Sequence, residues 1–185
     1  GVGVVNLAPR TLPRALTPDD VFAGAEVGGP VIVYDDEHYY MGGALAEWLA
    51  EKGHPVTLVT PDTKASAWTV YTDEQSLVQA RLLEKGIAIV SGQVVTAQAG
   101  NHVVLSCAYT GRESLRDCGT LVVVTGRLPR RGLALELAGR GVRAHLVGDA
   151  LMPSSVADAV HSAHRLARHL GGPDPLPYRR ERPPV

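Results

Sequence analysis

Four short, continuous runs of apolar and largely β-branched residues dominate the middle of the chain. They are Val31-Ile32-Val33-Tyr34, Pro55-Val56-Thr57-Leu58-Val59, Ile87-Ala88-Ile89-Val90 and Thr120-Leu121-Val122-Val123-Val124. Runs of this kind suit strands buried on both faces, as in a parallel sheet covered by other layers. Residues 41–52 lie between the first two runs and are expected to be helical. A second helix is expected after Thr72-Asp73-Glu74-Gln75, which has the pattern of a capping box with acids in the first turn. Leu77, Val78, Leu82 and Leu83 then recur at helical spacing until Gly86. Strands alternating with helices build parallel pairs. Residues 94–98, 102–107 and 113–117 are β-rich and separated by Ala99-Gly100-Asn101 and Thr110-Gly111-Arg112, which predicts an antiparallel meander before the last run.

The turn after the first strand carries the most chemical information. A strand–turn–helix that grips a dinucleotide wants G-x-G-x-x-G there. This chain has Asp35-Asp36-Glu37-His38-Tyr39-Tyr40-Met41-Gly42-Gly43. Counting back from Gly42 as the third glycine, Glu37 and Tyr39 hold the first two positions, so the finger is degenerate. The second glycine is the one that lets a pyrophosphate approach the backbone, and Tyr39 puts a side chain there. Three successive acids would also repel a dianion. NAD(P) is not expected at this turn.

A stronger nucleotide signal lies further along. A short helix is predicted at 133–139, a strand at 142–147 and a helix at 154–170, the last with an apolar stripe through Val156, Ala159, Val160, Ala163, Ala167 and Leu170. Gly148-Asp149-Ala150 falls between that strand and that helix. A glycine there admits a ligand to the backbone, and an aspartate accepts hydrogen bonds from ribose or ribitol hydroxyls. The helix start at Ser154 and Ser155 offers N–H donors to a phosphate. An ordinary Gly-Asp turn capping a helix is the alternative, and Thr125-Gly126-Arg127 upstream favours the nucleotide. The candidate cofactor-binding residues are therefore Gly148, Asp149, Ala150, Ser154, Ser155, Thr125, Gly126 and Arg127, with a nucleotide as the ligand.

The remaining features narrow the function class. A net charge of −1 with 45% hydrophobic and 20% charged residues is a globular profile, not a nucleic-acid-binding one. No apolar run approaches a membrane span and no leader pattern opens the chain, so the cytoplasm is the expected compartment. Cys107 and Cys118 lack metal or redox spacing and are expected to be reduced core thiols. His161 and His164 do not match a metal-ligand pattern, and no metal site is expected. No catalytic nucleophile can be nominated. Trp68 and Tyr71, in the loop of residues 61–71, are candidate partner contacts, or they fold back onto the domain's own sheet. At the N-terminus, residues 2–7 could form a short strand, and Thr17-Pro18-Asp19-Asp20 starts a helix.

Several segments together resemble one branch of two-dinucleotide-domain flavoproteins. They are Tyr34-Asp35-Asp36 with Tyr39-Tyr40-Met41-Gly42-Gly43, Gly148-Asp149-Ala150 with Ala157-Asp158-Ala159, His164-Arg165 with Ala167-Arg168, and Pro177-Tyr178-Arg179-Arg180-Glu181. They are similar to the C-terminal region of trimethylamine, dimethylamine and histamine dehydrogenases, in the wider group of NADH:flavin oxidoreductases and 2,4-dienoyl-CoA reductases. The resemblance implies an α/β fold: a three-layer Rossmann-like domain of the FAD/NAD(P)-binding type with an antiparallel meander, plus the returning strand and helix of a second nucleotide-binding domain. The implied organisation is 1–29 as linker and end of a preceding FAD/ADP-type domain, 30–127 as an inserted NAD(P)-binding-like domain, 128–172 as the returning part, and 173–185 as an extended tail.

The resemblance also implies a missing N-terminal TIM barrel carrying FMN and an iron–sulfur cluster, with ADP or FAD bound near Gly148. An electron-transferring flavoprotein is the implied partner, in a homo-oligomer. Thr60 stands where an acid would meet an NAD ribose, and Lys64 is too distant in sequence to replace it for a 2′-phosphate. The displaced finger glycines at Glu37 and Tyr39 and this missing acid at Thr60 both favour the amine-dehydrogenase branch. The alternatives are an NAD(P)H-dependent flavin oxidoreductase of the dienoyl-CoA-reductase type and a non-catalytic module that docks a redox partner.

Overall fold

The computed structural model describes residues 4–6, as backbone, and 12–172; the tail expected at 173–185 lies outside the described residues. In chain order the elements are β1 (Val4–Asn6), α1 (Pro18–Phe22), β2 (Val31–Asp35), α2 (Tyr40–Glu51), β3 (Val56–Val59), α3 (Gln75–Glu84), β4 (Ala88–Val90), β5 (Gln93–Ala99), β6 (His102–Cys107), β7 (Glu113–Asp117), β8 (Thr120–Val124), β9 (Arg127–Pro129), α4 (Gly132–Gly139) and α5 (Val156–Arg168). Short 3-10 helices occupy Ala67–Thr72 and Gly148–Ala150. The chain divides into two compact units, Asn6–Gly126 and Gly1–Val5 with Arg127–Val185.

The larger unit is built on a four-stranded parallel sheet in the order β4-β3-β2-β8. Strand side chains alternate between faces. Val31, Val33, Val122 and Val124 therefore share one core with Leu45, Leu49, Val78 and Leu82 from α2 and α3. Ile32, Tyr34, Leu121 and Val123 share the opposite core with Val95, Val103 and Leu105 from the antiparallel meander β5-β6-β7. Helices, parallel sheet and meander thus form three layers, which explains why apolar residues run continuously along these strands instead of alternating with polar ones. Each fully buried aliphatic side chain contributes roughly 1.5–3 kcal/mol.

Residues 12–22 belong to this body, whereas 1–29 were expected as linker and the end of a preceding FAD/ADP-type domain. Leu12 and Val21 are buried in its cores. Leu16 extends the sheet beyond β8: its N–H donates to the Leu121 carbonyl (2.9 Å), and its carbonyl accepts from the Val123 N–H (2.8 Å). Thr17 then caps α1 in a capping box with Asp20.

The capping box expected at Thr72 does not form. Thr72 ends the 3-10 helix, Asp73 is left-handed, and Glu74 caps α3 without a side-chain bond. The Glu74 carboxylate is instead taken by the Thr72 and Tyr40 hydroxyls.

In the smaller unit β1 pairs with β9. Residues 142–147, expected to be a strand, have no strand assignment. An extended segment becomes a strand only by pairing with a neighbour, and no strand among the described residues pairs with this one. No described residue of this unit from 127 onward is buried.

Candidate functional site

Open parallel sheets hold ligands beyond the C-terminal ends of their strands, where the strand order reverses. In the larger unit that place is the end of β2, between β3 and β8. The chain's own residues occupy it. Asp36 and Glu37 donate their N–H groups to the Val124 carbonyl (2.8 and 3.1 Å), tying the turn to β8. His38 takes a left-handed backbone, with φ of 66°. Its Nδ1 lies 3.4 Å from the hydroxyl of buried Thr60 at the end of β3. The Trp68 N–H donates to the His38 carbonyl at 2.8 Å, and the two rings stand 5.9 Å apart between centroids. Tyr39, at the N-cap of α2, rests on Tyr40, whose hydroxyl meets Thr72 at 3.0 Å and donates to Glu74.

Gly42 does serve a close approach, but to a side chain of this chain. A Cβ built on it would stand 2.4 Å from Asp35 Cγ and 2.7 Å from Asp35 Oδ2. Asp35 is fully buried. Its Oδ1 accepts the His38 N–H at 3.0 Å, while its Oδ2 has no hydrogen-bond partner. Burial pushes this carboxyl up to about 7; the charges of Glu37 and Asp36 push the same way, against the N–H donors of His38 and Glu37. The three adjacent acids therefore do not present three full charges to a phosphate near neutral pH.

Trp68 and Tyr71 lie on the 3-10 helix Ala67–Thr72, 55% and 86% exposed. Trp68 both folds back on His38 and leaves a face open to solvent, so the two expectations for it do not exclude each other.

The candidate residues of the second site divide between the units. Thr125 and Gly126 follow β8 in the larger unit, whereas Arg127 opens β9 in the smaller one. Gly148, Asp149, Ala150, Ser154 and Ser155 lie together in the smaller unit. Gly148 needs its left-handed φ of 56°, and its Cα faces α5 closely, since a Cβ would lie 3.3 Å from that of Ala159. Its N–H donates to the Ser162 hydroxyl at 2.9 Å. Asp149 Oδ1 accepts the Ser154 N–H at 3.3 Å, closing the loop. The hydroxyls of Ser154 and Ser155 both donate to Asp158 Oδ2 (2.6 and 2.7 Å). These bonds hold the Asp158 carboxyl below the usual carboxylate range. The serine hydroxyls are thus engaged within the cap, and the donors left for a phosphate are the first-turn backbone N–H groups of α5.

Sequence reasoning did not single out His38, Asp35 or Thr60 as one cluster. A left-handed histidine leaves no mark in a sequence. The one visible sign was an acid placed directly after four apolar strand residues, with two glycines in the helix that follows. Among the described residues, no group of three His, Cys, Asp or Glu side chains is placed to hold a metal ion, and no helix is long and apolar enough to cross a membrane.

Three layers around a parallel sheet, with a meander opposite the helices, define a three-layer α/β domain. Residues 16–125 match the family described as the OYE-like second alpha/beta domain, and this chain belongs to it. The chain is 31% identical to dimethylamine dehydrogenase of Hyphomicrobium sp. (strain x), over 94% of this chain and 28% of that protein. The structure of histamine dehydrogenase from Rhizobium sp. 4-9 matches with a TM-score of 0.87 at 35% identity, over 97% of this chain and 32% of that one. That of 6-hydroxypseudooxynicotine amine oxidase from Pseudomonas geniculata N1 matches with a TM-score of 0.80 at 33% identity, over 86% and 25%. The chain thus spans 25–32% of the length of these three relatives.

Proposed function

We propose that this chain is the C-terminal nucleotide-binding region of a larger iron–sulfur flavoprotein oxidoreductase, an amine dehydrogenase acting in the cytoplasm. In this reading the larger unit is an inserted, Rossmann-like domain that has given up NAD(P), and the smaller unit is the returning part of an FAD/ADP-type domain. FMN and the iron–sulfur cluster belong to an N-terminal TIM barrel outside this chain, where amine oxidation takes place. Electrons leave to an electron-transferring flavoprotein, and the whole protein is a homo-oligomer.

The observation that carries this reading is the smaller unit's exposed apolar surface. Leu133, Leu135, Met152, Val156, Val160 and Leu170 are all exposed. So many large apolar side chains exposed in one small unit favour a surface that another part of a protein covers. In this reading that covering part is the remainder of an FAD/ADP-type domain, for which the relatives' greater length leaves room. His38 and Trp68 in the crevice of the larger unit support the loss of NAD(P) there.

ADP or FAD would be held by the Gly148 turn, by the Asp149 carboxylate on a sugar hydroxyl, and by the α5 N-terminus on a phosphate. Arg127, which opens β9 in the same unit, is a further candidate contact. The residues fit in part, because the Asp158 carboxylate shares that N-terminus and disfavours a second anion there. The nucleotide is structural in this role, and no reacting group is asked of these residues.

The test is nucleotide content in the intact protein. Purified protein should release stoichiometric ADP or FAD on denaturation, and Asp149→Ala should lower that content without changing the flavin and iron of the barrel. Full nucleotide content in Asp149→Ala would remove the site. Rapid bleaching of the flavin by NADH or NADPH in stopped flow would instead favour the reductase alternative.

A further inference from the structure

The crevice at the end of β2 is closed under strain. Among the described residues the non-glycine positions with positive φ are His38 (66°), Ser66 (47°) and Asp73 (59°). His38 lies in the turn after β2; Ser66 and Asp73 are the two caps of the 3-10 helix that carries Trp68. Left-handed conformations are strained in residues with a side chain, and persist only where surrounding contacts over-determine them. Here those contacts are the Trp68–His38 hydrogen bond and ring contact, the Tyr40 bonds to Thr72 and Glu74, and the Gln75 amide donating to the Ala65 carbonyl at 3.1 Å. Two buried polar atoms in the same region, Asp35 Oδ2 and Ser66 Oγ, have no hydrogen-bond partner. Such an orphaned atom is destabilising when neutral and more so when charged.

Among the described residues no cation faces Asp35. The charged groups acting on it are Glu37 and Asp36 from the same turn, together with the N–H donors of His38 and Glu37. From α2 it meets Gly42, which brings no charge. From β2 the Tyr34 phenol is itself pushed upward by burial, Asp36 and Asp35, and so stays neutral. The His38 imidazole turns its Nε2 toward Asp36 at 3.8 Å and its Nδ1 toward Thr60. An ionised Asp35 would therefore be a buried anion beside two others, with one oxygen unmet.

We infer that Asp35 is a proton-controlled latch: its neutral carboxyl keeps residues 36–40 and the Trp68 helix closed over the strand ends, and its ionised form opens them. The sign follows from linkage. Asp35 titrates near 7 in the closed form, whereas once water reaches it an aspartate titrates at about 3.9. The closed form is then fully favoured below the lower value, loses ground as the pH rises between the two, and loses no more above the upper one. Opening should increase about tenfold per pH unit across that window.

Hydrogen exchange on the intact protein tests this between pH 4.5 and 8.5, with each amide rate divided by its intrinsic rate. Protection of the His38 and Trp68 N–H groups should fall about tenfold per pH unit up to about 7 and then level off. The Cys118 N–H, bonded to the Asn101 carbonyl at 2.8 Å in the meander, should show no such slope. Asp35→Asn keeps the His38 acceptor without the charge and should flatten the profile. Glu37→Gln removes a neighbouring charge, leaves Asp35 in place, and should move the plateau to lower pH. Protection at His38 and Trp68 that ignores pH in the wild type, or that keeps its slope in Asp35→Asn, would overturn the latch. If Asp35→Asn does not fold, an unmoved plateau in Glu37→Gln overturns it.

Discussion

Asp35 and Gly42 share one volume: the carboxyl of the first lies where the second would carry its Cβ, 2.4 Å from Asp35 Cγ. A helix glycine that sequence comparison places in a nucleotide finger is thus required by a buried side chain of the same chain.

Gly42→Ala should therefore destabilise the larger unit, although alanine is the better helix former by roughly 0.5–1 kcal/mol. Overpacking costs about 1–3 kcal/mol, enough to reverse that gain. Urea unfolding should show a lowered midpoint. The double change Asp35→Ala with Gly42→Ala should be less destabilising than the sum of the two singles. Strict additivity would mean that the two side chains do not compete for space.

Gly119 meets backbone instead of a side chain. A Cβ there would lie 2.5 Å from the Gly28 carbonyl oxygen and 2.8 Å from Gly29 Cα. The Thr120 hydroxyl also donates to that carbonyl at 2.8 Å and accepts the Gly28 N–H at 2.9 Å. Backbone cannot rotate away, so Gly119→Ala should cost the upper part of the 1–3 kcal/mol range, about 3 kcal/mol. Gly28→Ala, whose Cβ would meet nothing within 4 Å, is the control and should leave the urea midpoint within about 0.5 kcal/mol of wild type.

The two thiols should react differently. Burial pushes Cys118 up to about 11, and it is closed to solvent in the core beneath the meander. Cys107 is partly exposed and held below the usual thiol range, first by the Thr110 hydroxyl and then by the N–H groups of Tyr109 and Thr110. An aromatic disulfide reagent at neutral pH should modify Cys107 quickly and Cys118 only after denaturant is added. Cys107→Ser should abolish the fast phase; its survival would place the reactive thiol at Cys118.

Asp158 should make the start of α5 acid-sensitive. Its folded-state carboxyl is depressed by the Ser154 and Ser155 hydroxyls, so the stabilisation is present above the ordinary carboxylate range and is lost as the pH falls through the depressed value. Carbon chemical shifts of residues 155–159 in the intact protein should lose helical character on acidification. Asp158→Asn should start with a weaker cap and show little further change, and an equal acid response in both would count against the capping box.

Much of the larger unit was legible because its signals are local. Continuous apolar runs place β2, β3, β4 and β8, the glycine turns delimit β5, β6 and β7, and Thr17-Pro18 marks α1. The failures are as specific. Thr72-Asp73-Glu74-Gln75 has the residues of a capping box, yet Tyr40, far away in sequence, takes the Glu74 carboxylate. Residues 142–147 have the composition of a strand without a paired neighbour. At the second site the Gly148 turn was legible as a turn, but the engagement of Ser154 and Ser155 by Asp158 was not.

The sequence by itself determined the α/β alternation, the meander and the degenerate finger, since periodicity and turn chemistry act within a few residues. Only the tertiary structure decided that Leu16 extends the sheet, that His38 and Trp68 meet beyond the strand ends, and that Asp35 is a buried acid whose carboxyl is pushed upward. Pairing and desolvation depend on groups brought together from distant parts of the chain, and no local pattern records what will surround a carboxylate once the layers close over it.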